Sequence, residues 1–296
     1  MPATKFKCTD GETSNIGDCL VKCRLGRRCM TLPTLVFIVS TERPWDGKPS
    51  TTRLINGTMI EYLKATENYT VNPRDRAFAL LGSNHHALLS RIQGNWLSEQ
   101  TQGGNVPGTP DLLEPDDELP GQYILTDYKT FGSYRVTKVL GLIKEHSFST
   151  TEVYKRSGNW GKAGSPKKIY TFRIDPQQVD MEDEELQLNH YRRLMEQAGY
   201  TISRMQLQIT VRDGGVQIAR DRGITENIYL VPVVRLDDHL IDTFFETRRD
   251  VLVYHVMSGI PPRPCNDKES WSTRRCKDYC EVASFCPQGK LVAHQE

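Results

Sequence analysis

Apolar residues recur along this chain with two different periods, and the change from one to the other organises it. Leu54, Met59, Ile60 and Leu63 fall at roughly helical spacing, which predicts a helix over Thr51–Ala65 after the Pro- and Gly-rich turn Pro44–Ser50. A second helix is expected over Asp75–Ile92, and the short apolar run in Thr34–Ser40 reads as a strand. From Trp96 the period shortens. Trp96–Thr101, Val106–Leu113 and Gln122–Tyr128 read as three strands separated by Gly, Pro and acidic turn residues. Tyr134–Ile143 reads as a helix and Ile169–Ile174 as a strand. Between them, Arg156–Lys168 sets Arg156, Lys162, Lys167 and Lys168 among Gly, Ser and Trp160, the composition of an exposed basic loop. Asp183–Gly199 is a predicted helix, and Ile202–Arg212 a strand with Met205, Leu207 and Ile209 alternating. A strand over Ile228–Val234 and a long helix over Asp237–Met257 follow. Strands mixed with helices, without regular alternation, predict an α/β protein of the mixed α+β kind, with a central mixed β-sheet flanked by helices.

Composition changes this picture in two ways. With 38% hydrophobic and 25% charged residues among 296, the chain is built to bury a core. Its 38 basic and 37 acidic side chains leave a net charge of +1, which excludes a protein that grips nucleic acid by overall charge. Any such contact must come from local patches. The opening Met1–Cys8 has no apolar stretch of the secretory kind, and Leu35–Val39 is far too short to cross a bilayer. A cytoplasmic protein without membrane contact is therefore expected, and a reducing compartment turns the eight cysteines from disulfide partners into candidate metal ligands.

Candidate chemistry gathers on the predicted strands. Residues two apart on a strand share a face, so Asp127 and Lys129 project together while Tyr128 faces away. Asp111 lies before a turn around Pro115–Pro120, and a hairpin there brings its carboxylate beside Asp127. Two carboxylates suit a hard divalent cation such as Mg²⁺ or Mn²⁺. A neighbouring ammonium could orient or deprotonate water, or neutralise charge on a pentacovalent phosphorus. Asp-x-Lys alone is a common tripeptide; Asp46-Gly47-Lys48 is another, in a predicted turn.

In their order and context these residues resemble the PD-(D/E)XK nuclease superfamily, in particular its RecB/AddB-like and CRISPR-associated iron–sulfur exonuclease branch. Gly82-Ser83-Asn84-His85-His86 is similar to the family's Gly-x-x-x-His helix, Gly108-x-x-Asp111 and Asp127-x-Lys129 follow, and Gln187-x-x-x-Tyr191 resembles the Gln-x-x-x-Tyr motif. The resemblance spans residues 82 to 191. It implies a nuclease-like core in which His86, Asp111 and Asp127 ligate the cation, Lys129 assists the attacking water, and Gln187 and Tyr191, four apart on one helix face, position substrate or Lys129. His85 competes with His86 for the ligand role. The chain departs from the family at Ser90, where a Glu is common.

Cys8, Cys19, Cys23 and Cys29 are spaced C-x10-C-x3-C-x5-C, and Cys265, Cys276, Cys280 and Cys286 repeat that spacing without change, using every cysteine of the chain. Thiolate ligation of metal is the expectation, by zinc or by [4Fe–4S] clusters. Cys276, Cys280 and Cys286, followed by Pro287, resemble the C-terminal C-x2-C-x5-C of the iron–sulfur nucleases. In those a lone N-terminal Cys completes the set; this chain departs by one residue in spacing and by a whole second tetrad. Each tetrad either holds its own metal or shares ligands with the other, and identical spacing favours two self-contained sites.

Three segments result: cysteine-rich metal-binding ends at 1–32 and 261–296 around a nuclease-like core at 33–260. Arg24, Arg27 and Arg28 in one tetrad, with Arg274, Arg275 and Lys277 in the other, either meet phosphates or neutralise thiolates. The resemblance implies a DNA substrate, single-stranded or with a free end, in recombination, repair, phage replication or foreign-DNA processing, with a helicase or recombinase partner. Trp160 and Trp271 are candidates for stacking on unpaired bases. The alternative is a non-catalytic nucleic-acid-binding protein with two four-cysteine metal modules.

Overall fold

The computed structural model describes residues 3–159 and 161–293; Trp160, a stacking candidate, lies outside the described residues. In chain order the strands are β1 (Lys5–Lys7), β2 (Thr13–Asn15), β3 (Thr70–Val71), β4 (Leu97–Ser98), β5 (Leu112–Pro115), β6 (Tyr123–Phe131), β7 (Leu142–Val153), β8 (Pro166–Ile174), β9 (Ile202–Val211) and β10 (Ile228–Val233). The helices are α1 (Ile16–Val21), α2 (Leu32–Ser40), α3 (Thr51–Ile55), α4 (Thr58–Thr66), α5 (Pro73–Arg76), α6 (Ala79–Leu89), α7 (Ser133–Val139), α8 (Glu182–Gln197), α9 (Gln217–Arg220), α10 (Asp238–Ser258), α11 (Asp267–Ser270), α12 (Arg274–Asp278) and α13 (Pro287–Ala293).

A five-stranded sheet in the order β10-β9-β6-β5-β4 forms the centre. β6 and β9 run parallel, whereas the other neighbours are antiparallel, so the sheet is mixed and the protein is of the mixed α+β kind. On β9 the alternation buries Met205, Leu207, Ile209 and Val211, and helix α8 closes over this face with Leu188, Tyr191 and Met195. Four acidic residues, Glu182 to Glu185, occupy the first turn of α8, where they oppose the positive end of the helix dipole. Its other side faces a second apolar cluster, built from α2, α3, α4 and α10 together with residues of both chain ends, including Phe6, Cys19, Val282 and Cys286. Arg192, fully buried on α8, holds this junction through Glu196 at 2.8 Å and Asp238 at 2.7 Å. No helix among the described residues is long and apolar enough to cross a membrane.

Several elements differ from the sequence expectation. Thr34–Ser40 is not a strand but most of helix α2: Pro33 stands in its first turn, where a missing N–H costs nothing, and Leu35 and Ile38 turn inward three residues apart. The expected helix over Thr51–Ala65 is two, because Asn56 adopts an extended conformation and ends α3 before Gly57 caps α4. A Cβ on Gly57 would fit tightly, 3.2 Å from the Cys265 sulfur. Asp75–Ile92 is likewise split into α5 and α6, and Tyr134–Ile143 shortens to α7. Trp96–Thr101 contracts to β4, and the strand expected over Val106–Leu113 is displaced to β5, sharing only Leu112 and Leu113 with it. Unexpected from sequence is β7, which pairs with β8 alone as a long two-stranded ribbon.

Candidate active site

The turn expected around Pro115–Pro120 is made by Asp116. Its carboxylate accepts from Glu118 N at 3.0 Å and from Ser203 Oγ at 2.6 Å, and its N–H donates to the Gln122 carbonyl at 2.9 Å. That turn fixes the β5–β6 register, pairing Leu112 with Thr126, so Asp111 comes one step beyond the ladder, opposite Asp127. Tyr128 N donates to Asp111 Oδ2 at 2.7 Å, and His86 Nδ1 lies 3.1 Å from Asp111 Oδ1. Helix α6 presents that histidine while lying against β6.

Asp127 and Lys129 share the inward face of β6, as strand alternation requires. Lys129 Nζ is 2.6 Å from Asp127 Oδ2 and donates to Gln187 Oε1 at 2.9 Å; Gln187 Nε2 in turn donates to the Tyr191 hydroxyl at 2.9 Å. Residues 127, 129, 187 and 191 therefore form one chain of contacts, and the His86–Asp111 pair stands opposite its Asp127 end. His85, the competing histidine, instead packs its ring edge-on to Tyr128 with centroids 5.5 Å apart, and makes no contact with either carboxylate that matches the His86 pair.

Electrostatics sharpen the geometry. Burial pushes the Asp127 carboxyl up to about 7; Asp111 beside it acts in the same direction and the Lys129 ammonium opposes both. Burial would pull the Lys129 ammonium down, but the Asp127 carboxylate raises it further, and it stays protonated. The hydrogen bond to Asp111 raises His86, whereas burial lowers His85. Tyr191 is pushed up to about 12, chiefly by burial, so its hydroxyl keeps its proton and can accept from Gln187.

Whether these donors suit a cation can be judged from their lone pairs. Asp127 Oδ2 is buried and accepts no hydrogen bond, despite the ammonium close by. The Lys129 ammonium already supplies positive charge to that oxygen, so a cation would have to share it with Lys129. Among the described residues, no three His, Cys, Asp or Glu side chains already stand as a closed ligand set. The site donors lean on one another instead, His86 on Asp111 and Lys129 on Asp127. The two carboxylates and the imidazole are hard O or N donors of the type that Mg²⁺ or Mn²⁺ accepts.

Each cysteine tetrad lines its own cavity. Cys8, Cys19, Cys23 and Cys29 face one together with Phe6 and Leu35, and Cys265, Cys276, Cys280 and Cys286 face another against Met59, Ile60 and Leu63. Burial pushes Cys265 up to about 11 and also raises Cys19, Cys276 and Cys280, with neighbouring thiols adding to the shift in all four. Soft sulfur donors are of the kind that suits zinc or iron, although among the described residues no three of these cysteines stand close enough to hold an ion. The flanking bases are partly engaged locally. Arg28 donates to the carbonyls of Leu20 and Val21, Arg24 pairs with Asp10, and Arg275 lies 5.1 Å over the exposed Trp271 ring.

Two participants escape a reading of the sequence. Tyr128 faces away by strand alternation, yet its ring touches both histidines, with His86 at 6.0 Å. Gly108 enters the sequence only as part of a motif, but a Cβ there would meet Tyr191 Cε1 at 2.7 Å. The motif spacing Gly-x-x-Asp is its only signal. Compared with known proteins, the chain matches no family model and no curated protein at a significant level.

Proposed function

We propose that this protein is a metal-dependent nuclease that hydrolyses phosphodiester bonds in DNA, with a PD-(D/E)XK-like core and a preference for single-stranded or end-containing substrate. One observation carries the reading: four side chains picked from separate sequence positions form two contact pairs, His86 with Asp111 and Lys129 with Asp127, and the β5–β6 register sets the two carboxylates opposite each other. A divalent cation held by Asp111, Asp127 and His86 would supply Lewis acidity toward the phosphoryl oxygens and ease deprotonation of water.

The chain's own residues do the rest. Asp111 is anchored by the Tyr128 amide, which leaves its second oxygen to orient His86. Lys129, kept protonated, can donate from Nζ to a non-bridging phosphoryl oxygen, where negative charge grows during the displacement. Gln187 fixes the direction of that ammonium and is itself held by Tyr191, so the donor is positioned before substrate arrives. The tetrads, packed into the helical cluster on both chain ends, would hold zinc or [4Fe–4S] groups that brace this half of the protein.

The test is digestion of end-labelled single-stranded, linear duplex and circular DNA by anaerobically purified protein with Mn²⁺ or Mg²⁺, comparing wild type with Lys129→Ala. Cleavage by wild type and a loss of roughly 10²- to 10⁴-fold in the variant are expected. Binding without cleavage by wild type would overturn the enzymatic reading in favour of a non-catalytic nucleic-acid-binding protein. Digestion of the circle would redefine the activity as endonucleolytic.

A further inference from the structure

The ribbon β7–β8 leaves the core just after α7 and pairs with no third strand. Its antiparallel register places Lys144 opposite Phe172, His146 opposite Tyr170, and Phe148 opposite Lys168. Directly opposed residues share a face, and so do residues two apart on one strand. All six side chains therefore lie on one side, as three successive rungs that each join an aromatic ring to a basic group. The ring contacts agree: His146 lies 6.0 Å from Phe148 and 6.5 Å from Tyr170, and Lys144 Nζ stands 4.1 Å above the Tyr170 ring.

The inner end of this face is tied down. Lys144 donates to the Asp221 carbonyl at 2.8 Å, and Phe172 and Leu142 rest on Gly223, where a Cβ would come within 2.5 Å of the Phe172 ring. Beyond that point Phe148 is 59% and Tyr170 50% exposed and neither belongs to a hydrophobic cluster, with Lys144 covering one side of the Tyr170 ring. No carboxylate shares these rungs. The opposite face, by contrast, pairs Arg173 with Glu145. Residues 142–174 hold seven Lys and Arg against two Glu, in a chain whose net charge is only +1. Basic charge is thus concentrated on this arm.

We infer that this face of the ribbon is a binding site for single-stranded DNA, with unpaired bases stacking on Phe148 and Tyr170 and Lys168 meeting the phosphates. Exposed rings at successive rungs suit bases in succession along a strand, because every base offers a π-face whatever its identity. A duplex keeps its bases stacked on each other and has none to offer these rings, so the site discriminates by strandedness rather than sequence. Lys168 at the outer rung offers its charge to a backbone that carries one at each nucleotide. The identity of the ligand as DNA rests on the proposed nuclease reading; the stacking geometry does not.

The experiment is fluorescence anisotropy of a labelled oligothymidylate in EDTA, with the full chain carrying Lys129→Ala so that cleavage cannot intervene. Removing each ring, by Phe148→Ala or Tyr170→Ala, should weaken binding about tenfold, whereas Phe148→Tyr and Tyr170→Phe should bind like the parent. Lys168→Ala should lower the slope of log affinity against log salt by about 0.7, the share of one phosphate contact on a single strand. As a second measurement, ultraviolet crosslinking of an iododeoxyuridine oligonucleotide should label peptides from residues 142–174. Unchanged affinity in the double variant Phe148→Ala/Tyr170→Ala, or crosslinks confined to other peptides, overturns the inference; either is the outcome expected if the arm docks a protein partner. Binding through the ribbon by a wild-type chain that cuts nothing would retain the inference and discard the nuclease reading. Cleavage that survives without ribbon binding would do the reverse.

Discussion

Gly108 lies so close to Tyr191 that a Cβ at position 108 would stand 2.7 Å from the ring carbon Cε1 and 2.9 Å from both Leu194 Cδ1 and Thr51 Oγ1. Those neighbours belong to α8 and α3 and cannot all retreat. Gly108→Ala is therefore expected to destabilise the fold by about 1–3 kcal/mol, the usual cost of overpacking, and to shift Tyr191 and with it Gln187. Thermal melts and digestion rates would check this. A variant that melts and digests like wild type would show that the contact matters to neither.

The path from Lys129 through Gln187 to Tyr191 makes a second prediction. Gln187→Leu removes the acceptor for Lys129 Nζ and the donor to Tyr191 at once, keeping similar bulk. A misdirected catalytic group can cost on the order of 10²-fold, so a loss approaching that size in kcat is expected with KM little changed. Tyr191→Phe should lose less, because Gln187 keeps its bond to Lys129. In the double variant the losses should fall short of their product, since Tyr191 acts through Gln187. Multiplicative losses in steady-state kinetics would separate the two residues.

How much of this is legible in the sequence depends on how strongly each segment's pattern is constrained. β10 and α10 each bury one side against the core and leave the other wet, and β9 alternates fully and partly buried positions, so their periods stand out; α8 is read from its length and its acidic first turn, since both of its sides are covered. The Asp111–Asp127 pairing is legible too, because the Pro- and Asp-rich turn admits little but a hairpin. By contrast, β7 runs through Ser147, Ser149, Thr150 and Thr151 with solvent on both faces, and nothing selects an apolar alternation there. In α2 the run Leu35–Val39 is apolar all round, so periodicity cannot separate strand from helix; its packing against the chain ends decides. His85 and His86 are neighbours in sequence, and only the direction in which α6 crosses β6 turns one toward Asp111.

A pH prediction follows from His190, which lies in α8 between the two apolar clusters. Its Nε2 is 3.2 Å from the Val106 carbonyl and must carry the proton to bond it, while Nδ1 is buried without a partner. The ring packs on Phe245 with centroids 4.1 Å apart. Burial lowers its pKa, because protonation would place a second N–H where nothing accepts it. The unfolded chain then takes up a proton before the folded one does. Stability is full above the ordinary histidine value of about 6.5 and falls as the pH drops below it. Between pH 7.5 and 5.5, urea unfolding should show wild type losing stability relative to His190→Gln, the opposite contributions of Asp127 and His86 being common to both proteins. Equal pH dependence in the two proteins would assign the effect elsewhere.

Removal of metal should act on one half of the protein before the other. Both tetrads sit in or against the helical cluster: Cys19 and Cys286 lie in its core, Cys265 and Cys280 pack on it, and Gly57 at the start of α4 is small enough to admit the Cys265 sulfur. The apolar cluster under the central sheet contains no cysteine among the described residues. If the tetrads hold metal as proposed, stripping it would leave four weakly polar groups around each cavity and remove a crosslink from loops with little core of their own. Metal content of anaerobically purified protein should come to about eight iron atoms or about two zinc ions per chain. Hydrogen exchange after chelation should quicken in α2, α4 and α13 while β6 and β9 stay protected. Cys280→Ser should halve the metal and reproduce the C-terminal part of that change. Exchange that rises evenly across sheet and helices, or full metal content in the variant, would mean that the tetrads do not act as two separate braces.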